Sequence, residues 1–135
     1  MKNNKRRSDC PISFALDIFG DKWSLLIIRD LIFRGKKTYG EFAESEEKIS
    51  TNILADRLAH LEETGLINVK KDPEKKSRKI YSLTNKGRDL IPLLLEIVKW
   101  SSKHDPDTGT PKEFLDRLFY DRENFEKEIL MNLED

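Results

Sequence analysis

The stretch from Ile49 to Gly65 carries the start and stop signals of a short helix. Ser50 is a good N-cap, because its hydroxyl can accept a hydrogen bond from a backbone N–H group that the helix leaves unpaired. Ile49, before the cap, can pack against Leu54 as a hydrophobic staple. Gly65 can take the left-handed conformation that ends many helices. The stretch therefore predicts a helix bounded by Ser50 and Gly65.

The two sides of this helix differ in character. Leu54, Leu58 and Leu61 recur at i, i+4 and i+7, so we expect this side to be buried. Small and polar residues occupy the opposite side and its flanks: Thr51, Asn52, Ala55, Asp56, Ala59 and Glu63. Such side chains near a helix start suit insertion into the major groove of DNA. An ordinary amphipathic surface helix would show the same pattern. The neighbouring segments therefore decide between a DNA-binding helix and a plain surface helix.

A second, shorter helix is predicted immediately before this one. Thr38 and Glu41 have the spacing of a capping box, which starts a helix at Tyr39 that runs to about Ser45. Residues 46–48 then form a tight turn. A short helix, a tight turn and a helix with an exposed polar start are the arrangement of a helix-turn-helix motif.

After Gly65 the hydrophobic period changes from that of a helix to two. Residues 66–71 and 79–83 read as strands, and the polar residues 72–78 read as the turn between them. Six Lys/Arg stand against two acids between Lys70 and Lys79. A solvated hairpin would have the same charge, but a basic hairpin that directly follows a helix-turn-helix is a wing, placed to lie along the phosphate backbone.

Helices are predicted on both sides of this motif. The first runs from Pro11 to Gly20 with Ile12, Ala15, Leu16 and Phe19 on its buried side, and a second follows Asp21 as far as about Phe33. A long helix from Asn85 to about Lys103 is apolar around most of its circumference, which predicts burial against a second copy of the chain. Pro92 makes this helix start late or kink. Thr110–Glu113 reads as a capping box before an acidic amphipathic segment with a break near Asn124.

Length and composition favour one domain in a reducing compartment. A chain of 135 residues with 37% charged and 37% hydrophobic residues is rich in surface, as dimer subunits are. Residues 105–135 carry four Lys/Arg against ten Asp/Glu, so an acidic segment follows a basic body. A single cysteine suits the cytoplasm, and we expect neither a membrane span nor a secretory signal. We predict a disordered basic arm (1–9), a DNA-binding domain with dimerisation helices (10–104) and an acidic helical extension (105–135).

Several short motifs, taken together, resemble the HxlR family of bacterial winged helix-turn-helix transcription regulators. They are Cys10-Pro11, Gly20-Asp21-Lys22-Trp23, Leu31, Gly35, Tyr39-Gly40-Glu41-Phe42, Ile49-Ser50, Leu54, Arg57-Leu58, Leu61, Gly65-Leu66-Ile67 and Tyr81-Ser82-Leu83-Thr84-Asn85-Lys86-Gly87. The resemblance implies a mainly helical fold with a β-hairpin wing and flanking dimerisation helices. It also implies a homodimer that binds double-stranded DNA. The chain departs from the family in a wing without the usual proline and glutamate, in Thr38 where arginine is frequent, and in its longer acidic end.

The predicted DNA contacts fall into two groups. Residues for base edges lie at the start of the second helix of the motif, with Arg57 on phosphate or in an internal ion pair. Phosphate contacts come from the first helix and the wing. The full predicted set is Lys37, Thr38, Tyr39, Ser50, Thr51, Asn52, Asp56, Arg57, Lys75, Lys76, Arg78 and Lys79. The predicted dimer interface is Ile12, Leu16, Leu90, Leu94, Ile97, Val98 and Trp100.

Cys10 is the one residue with reactive potential. It lies at a helix start with Arg6 and Arg7 nearby in sequence, conditions that favour a thiolate able to react with an oxidant or electrophile. Some members of the family sense oxidants, quinones or aldehydes through a cysteine here, and others keep it without such a role. The alternative for Cys10 is a packed free thiol. His60 and His104 lack metal-ligand spacing, and we predict no metal, cofactor or enzymatic activity. A winged helix used only for protein contacts, and a MarR- or PadR-like regulator with a small effector, remain as alternatives.

Overall fold

The computed structural model describes residues 6–133, which divide into two compact units with the boundary between Leu83 and Thr84. The predicted disordered arm at residues 1–9 lies for the most part outside the described residues. The first unit contains four helices and a two-stranded antiparallel hairpin: α1 Pro11–Phe19, α2 Ser24–Phe33, α3 Tyr39–Ala43, α4 Thr51–Glu63, β1 Ile67–Lys71 and β2 Lys79–Leu83. The second unit contains α5 Asn85–Arg88, α6 Ile91–His104, α7 Lys112–Tyr120 and α8 Arg122–Asn132.

The core of the first unit is built from α2, α3, α4 and the hairpin. Leu54, Leu58 and Leu61 of α4 are buried, which confirms the predicted apolar side of that helix. Phe42 of α3 is buried and meets the ring of Tyr81 edge-on, with ring centroids 5.8 Å apart. The apolar residues of α2 complete this core: Ile27, Ile28, Leu31 and Ile32.

Helix α2 begins two residues later than predicted, at Ser24 rather than at Lys22. The helix begins at Ser24, and the Asp21 carboxylate accepts hydrogen bonds from the backbone N–H groups of Trp23 and Ser24, both at 2.9 Å. The Ser24 hydroxyl also donates to Asp21, at 2.6 Å. Asp21 therefore pairs the free N–H groups at this helix start, as predicted, from a position slightly outside the helix.

The predicted buried side of α1 was wrong for two of its residues. Ile12 is 69% exposed and Leu16 is 51% exposed, and α1 has no buried residue. Ala15 and Phe19 are half-buried. The apolar pattern of α1 therefore does not arise from packing into the core of its own chain. The boundaries of α1, with Pro11 in its first turn and Gly20 at its end, match the prediction.

The hairpin pairs Ile67 with Leu83 at its base and Lys71 with Lys79 at its outer end. The backbone N–H of Tyr81 donates to the carbonyl of Lys37 at 2.8 Å, so β2 is also tied to the segment before α3. The sequence predicted both strands with nearly these boundaries, because their period of two is confined to short runs between polar residues.

The second unit resolves the alternatives left open by Pro92. Thr84 caps α5, a single short turn of helix, through a bond from Gly87 N–H, and α6 starts anew at Ile91 with Pro92 in its first turn. Proline is tolerated there because N–H groups in the first turn have no partner within the helix. One continuous helix from Asn85 would have placed Pro92 in its interior, where it removes a hydrogen bond.

Two predictions for the end of the chain were wrong. The Thr110 capping box does not form: Pro111 itself adopts the extended N-cap conformation, so Thr110 lies one residue too early to cap α7. The break between helices falls at Asp121 rather than near Asn124. Arg117 joins α7 to α8 through Glu128, at 2.7 Å, and the rings of Phe114 and Phe125 meet edge-on.

Candidate nucleic-acid interface

The first helix of the predicted motif is fixed by its cap. Thr38 Oγ1 accepts from Glu41 N–H at 3.2 Å, and Glu41 Oε1 accepts from Thr38 N–H at 3.1 Å, so the predicted capping box is confirmed. Glu41 also accepts from Lys37 N–H at 2.7 Å, and this bond holds the pKa of the carboxyl below its ordinary value. The Tyr39 hydroxyl donates to the Thr51 carbonyl at 2.9 Å, which joins α3 to the start of α4.

The turn between α3 and α4 contains an unusual backbone conformation. Lys48 has a φ of +60°, and its N–H donates to the Ser45 carbonyl at 3.0 Å. The left-handed region is uncommon for a residue with a side chain, and here it reverses the chain direction within three residues. The turn therefore delivers Ser50 directly to the start of α4.

The start of α4 presents side chains to solvent. Ser50 Oγ accepts from Ile53 N–H at 3.3 Å, and Gly65, with a φ of +83°, ends the helix together with a bond from Leu66 N–H to the Leu61 carbonyl. This pairing is a Schellman motif. The residues predicted to contact bases, Ser50, Thr51, Asn52 and Asp56, are all exposed on this surface.

Ile53 is a residue of this surface that the sequence analysis missed. It is 40% exposed in the first turn of α4, while Leu54 beside it is fully buried. An apolar side chain at this position can contact the methyl group of thymine in the major groove. The signal was present in the sequence, because Ile53 is out of step with the stripe formed by Leu54, Leu58 and Leu61.

Arg57 makes internal ion pairs. Its Nη1 lies 3.2 Å from Asp21 Oδ1, and its Nη2 lies 2.7 Å from Asp56 Oδ2. Burial raises the pKa of Asp21, but the Ser24 hydroxyl, two backbone N–H groups and the Arg57 charge outweigh it and leave the pKa below its ordinary value of 3.8. Of the two roles predicted for Arg57, the structure therefore contains the internal pair, and Asp56 is oriented by it.

The wing, residues 67–83, has an anchored tip. Asp72 is only 4% exposed and accepts from the Arg78 Nε at 2.8 Å and from Glu74 N–H at 2.9 Å. These bonds, first from the backbone of Glu74 and then from Arg78, lower the pKa of Asp72. Arg78 is thus committed to the wing itself, and Asp72 is a second residue that the sequence analysis missed, although an aspartate before proline is a common turn signal. The other wing residues predicted to contact phosphate, Lys75, Lys76 and Lys79, are exposed.

Two acidic residues of the turn between α3 and α4, Glu46 and Glu47, are paired with nearby arginines. Glu47 receives two hydrogen bonds from the Arg29 guanidinium, at 2.6 and 3.0 Å, and Glu46 lies 3.0 Å from Arg34. Arg29 also pairs with the buried Asp30 at 2.9 Å. These contacts join α2 to the turn before α4 and offset the negative charge of that turn.

Replacing Glu47 by glutamine is expected to reduce the free energy of unfolding by about 1 kcal/mol at pH 7, because a bidentate charged contact is lost. The Arg29 hydrogen bonds lower the pKa of Glu47 below its ordinary value of 4.5. The contribution is therefore present above pH 4.5 and disappears as the pH falls through the lowered value. Urea unfolding at pH 7 and pH 3 measures it. Glu44→Gln, at an exposed carboxylate with no ion pair within residues 6–133, should leave both values unchanged.

Cys10 lies at the N-cap position of α1 and is exposed with a free thiol. Its carbonyl accepts from Phe14 N–H at 3.0 Å, and Arg7, one of the two basic residues predicted to act on the thiol, lies 2.7 Å from Asp17. His60 Nε2 contacts the Ile18 carbonyl at 2.7 Å. Within residues 6–133, no group of His, Cys, Asp and Glu is arranged to hold a metal ion.

The residues predicted for the dimer interface have different exposures. On α1, Ile12, Leu16 and the neighbouring Phe14, at 53%, are exposed. On α6, Ile97 is 41% exposed and Trp100 is 65% exposed. Leu90 and Val98 are half-buried, and Leu94, at 7%, is already buried within this chain.

The first unit is a winged helix-turn-helix: a capped helix, a tight turn, a second helix with an exposed start and a basic hairpin. This confirms the predicted fold class. A family model described as HxlR-like helix-turn-helix matches residues 18–108. An uncharacterized HTH-type transcriptional regulator of Synechocystis is 39% identical over 93 residues, 69% of this chain and 68% of that protein. The chain belongs to the HxlR-like helix-turn-helix family of transcriptional regulators, as the resemblance in the sequence predicted, and this is a DNA-binding family rather than a family of enzymes.

Solved structures agree with this assignment. PA1607, classed as a candidate transcription factor, has 40% identity and a TM-score of 0.69, over 78% of this chain and 74% of its own. Reduced YodB from Bacillus subtilis, a transcriptional regulator, has 28% identity and a TM-score of 0.60, over 75% of this chain and 100% of its own. The oxidized redox regulator HypR has 32% identity and a TM-score of 0.61, over 70% and 96%. No helix within residues 6–133 is long and apolar enough to cross a membrane.

Proposed function

We propose that this protein is a cytoplasmic, homodimeric transcription regulator that binds a palindromic operator, with α4 in the major groove and the wing on the adjacent phosphates. The observation that carries the proposal is the exposed start of α4, where Thr51 and Asn52 stand free of the core beside the anchored basic wing. Two copies related by a two-fold axis would place their α4 helices about 34–36 Å apart, on half-sites one helical turn apart. Residues 10–104 would form the DNA-binding and dimerisation body, with residues 105–135 as an acidic extension.

The proposed contacts divide by chemistry. The amide of Asn52 can bond adenine through two atoms, and the carboxylate of Asp56 can accept from cytosine N4. Lys75, Lys76 and Lys79 would contact phosphates, with Lys37 and Thr38 beside them at the start of α3. Tyr39, Arg57 and Arg78 would hold other contact residues in place rather than bind DNA themselves, because each already bonds to another residue of the first unit.

Replacing Lys75 and Lys76 together by glutamine is expected to weaken operator and random DNA alike. Loss of two phosphate contacts should reduce the slope of log affinity against log salt by about 2. Gel shift at several salt concentrations measures both effects. Asp72 and Arg78 remain in place in this variant, so the wing keeps its fold. Wild-type protein that binds no duplex even at low salt would instead support the alternative of a winged helix used for protein contacts only.

Dimerisation is supported by the apolar side chains that α1 and α6 leave exposed. Ile12, Phe14, Leu16 and Trp100 are each more than half exposed. Large apolar side chains left in water on a helix can mark a surface that a partner covers, and a second copy of the chain is the simplest partner.

We also propose that an oxidant or electrophile acts on Cys10. The support is its exposed thiol at the start of α1 and the similarity to HypR, a redox regulator, and to YodB, of which a quinone-bound structure is known. Modification would alter the exposed α1 surface on which the proposed dimer depends.

Diamide or a quinone is expected to lower operator binding by wild-type protein and to leave Cys10→Ser unaffected. Serine keeps the size of the side chain and removes the thiol, so it is a matched control. Mass spectrometry of the treated protein identifies the adduct or the disulfide between copies. Unchanged operator binding by fully modified wild-type protein would refute a sensing role for Cys10.

A further inference from the structure

A cleft separates α4 from the wing, and its volume is about 670 Å³. Binding sites for small molecules usually measure about 300–1,000 Å³ and combine an apolar lining with a few polar groups. The apolar part of this lining comes from Ala55, Leu58 and Ala59 of α4 and from the rings of Tyr39 and Tyr81. These surfaces favour a flat, apolar body.

One tyrosine that lines the cleft is largely buried, but its hydroxyl is not fully enclosed. Tyr81 is 8% exposed, and no hydrogen bond of its hydroxyl is found within residues 6–133. Burial raises the pKa of Tyr81, with Glu62 and Tyr39 contributing, so the hydroxyl stays protonated at neutral pH and can donate. The hydroxyl can therefore donate to water or to a ligand atom that enters the cleft.

The charge at the rim favours an anion. Lys75 and Lys79 line the cleft, and neither takes part in an ion pair with the described part of the chain. Arg78 also lines it but is held by Asp72, and Glu62 is the one acid that lines the cleft. The Thr38 hydroxyl, which accepts from Glu41 N–H, can still donate its own proton.

We propose that this cleft binds a small aromatic carboxylate, with its ring against Tyr81 and Leu58 and its carboxylate accepting from the Tyr81 hydroxyl and from Lys79. On the proposed function, Lys75 and Lys79 also contact phosphates, so ligand and DNA compete for the same cations. The protein would then be a regulator whose effector displaces the operator directly. A DNA strand could enter the same cleft, but the apolar lining and Glu62 suit a highly charged backbone less well than an aromatic ring with one charge.

The test begins without DNA. The full chain, labelled with ¹⁵N, is titrated with benzoate, with benzamide as the neutral analogue and with cyclohexanecarboxylate as the non-planar one. We expect benzoate to shift the signals of the cleft residues and to bind at least about tenfold more tightly than benzamide. Tyr81→Phe, which keeps the ring packed on Phe42, should weaken benzoate binding about fivefold, and Lys79→Gln by a similar or larger factor. The control is Lys70→Gln, a lysine of the same hairpin outside the cleft lining, which should bind benzoate like wild type.

The second step adds a duplex. Benzoate should weaken binding of a random-sequence duplex to wild-type protein, compared with acetate at equal ionic strength, and should do so less for Tyr81→Phe. Absence of benzoate shifts in the cleft overturns the inference, whether or not the duplex binds. If the duplex shifts the NMR signals of the cleft residues and benzoate does not, the cleft binds only the DNA backbone. If benzoate binds the cleft but the duplex does not bind the protein, the ligand site stands and the proposed function fails.

Discussion

Replacing Ile12 and Leu16 together by glutamate is expected to convert the protein to a monomer and to lower its affinity for a palindromic operator by at least about 100-fold. Two linked binding units gain a factor of about 10²–10⁴ over one, because the second half-site is engaged at high effective concentration. A monomer would lose that gain while keeping an intact helix-turn-helix.

This variant is expected to disrupt the dimer without unfolding the chain, because both side chains are exposed. Ile12 and Leu16 are 69% and 51% exposed in the single chain, so glutamate at either position meets water and should leave the fold unchanged. In a dimer that buries these positions, four unpaired carboxylates would lie in an apolar contact, which is strongly unfavourable.

Sedimentation equilibrium reports the oligomeric state, and gel shift on full and half operators reports affinity. Asp17→Ser is the matched control, because it changes a charge on α1 and leaves the apolar residues in place; it should remain dimeric. Circular dichroism and thermal unfolding establish that both variants are folded. A folded double variant that stays dimeric and binds the operator like wild type would remove α1 from the proposed interface.

Replacing Asn52 by alanine is expected to weaken the operator by about 5- to 150-fold, the range for loss of a bidentate contact to a base. Random DNA should bind with nearly unchanged affinity, since Asn52 carries no charge and the phosphate contacts remain. The asymmetry between the two DNAs, rather than the loss itself, identifies a base contact.

The measurement is gel shift on an operator selected in vitro and on random DNA of the same length. Glu63→Ala, at the exposed far end of the same helix, provides the control and should leave the operator affinity within twofold. Alanine is also the better helix former at both positions, so neither variant should destabilise α4. Equal loss on operator and random DNA would refute the assignment of Asn52 to a base.

The local signals of the sequence predicted most of the motif. Ser50, the Thr38–Glu41 capping box and Gly65 each act within a few residues, and the structure places them as the sequence implied. The buried stripe of α4 was predictable for the same reason. Contacts between distant residues were not predictable, since the pairing of Arg29 with Glu47 and of Arg57 with Asp21 depends on how the helices pack.

The apolar pattern of α1 shows a different limit. Periodicity reveals that a helix has an apolar side but does not identify what covers that side, so Ile12 and Leu16 were predicted both to be buried and to form an interface. Only the interface prediction is compatible with their exposure. At Thr110 the error was local, because the capping box depends on Pro111 being helical, and Pro111 is extended instead.

The contact between Asp72 and Arg78 bears on the free energy of the proposed binding of DNA by this hairpin. A loose tip would have to give up its conformational freedom on every encounter with a duplex, which would oppose association. Here that ordering accompanies folding of the polypeptide, since a carboxylate and a guanidinium close the loop before any nucleic acid arrives. The lysines on either side of the closed loop are thus preorganised. Of the six basic side chains between Lys70 and Lys79, Arg78 holds the loop in shape and leaves the lysines free to bind.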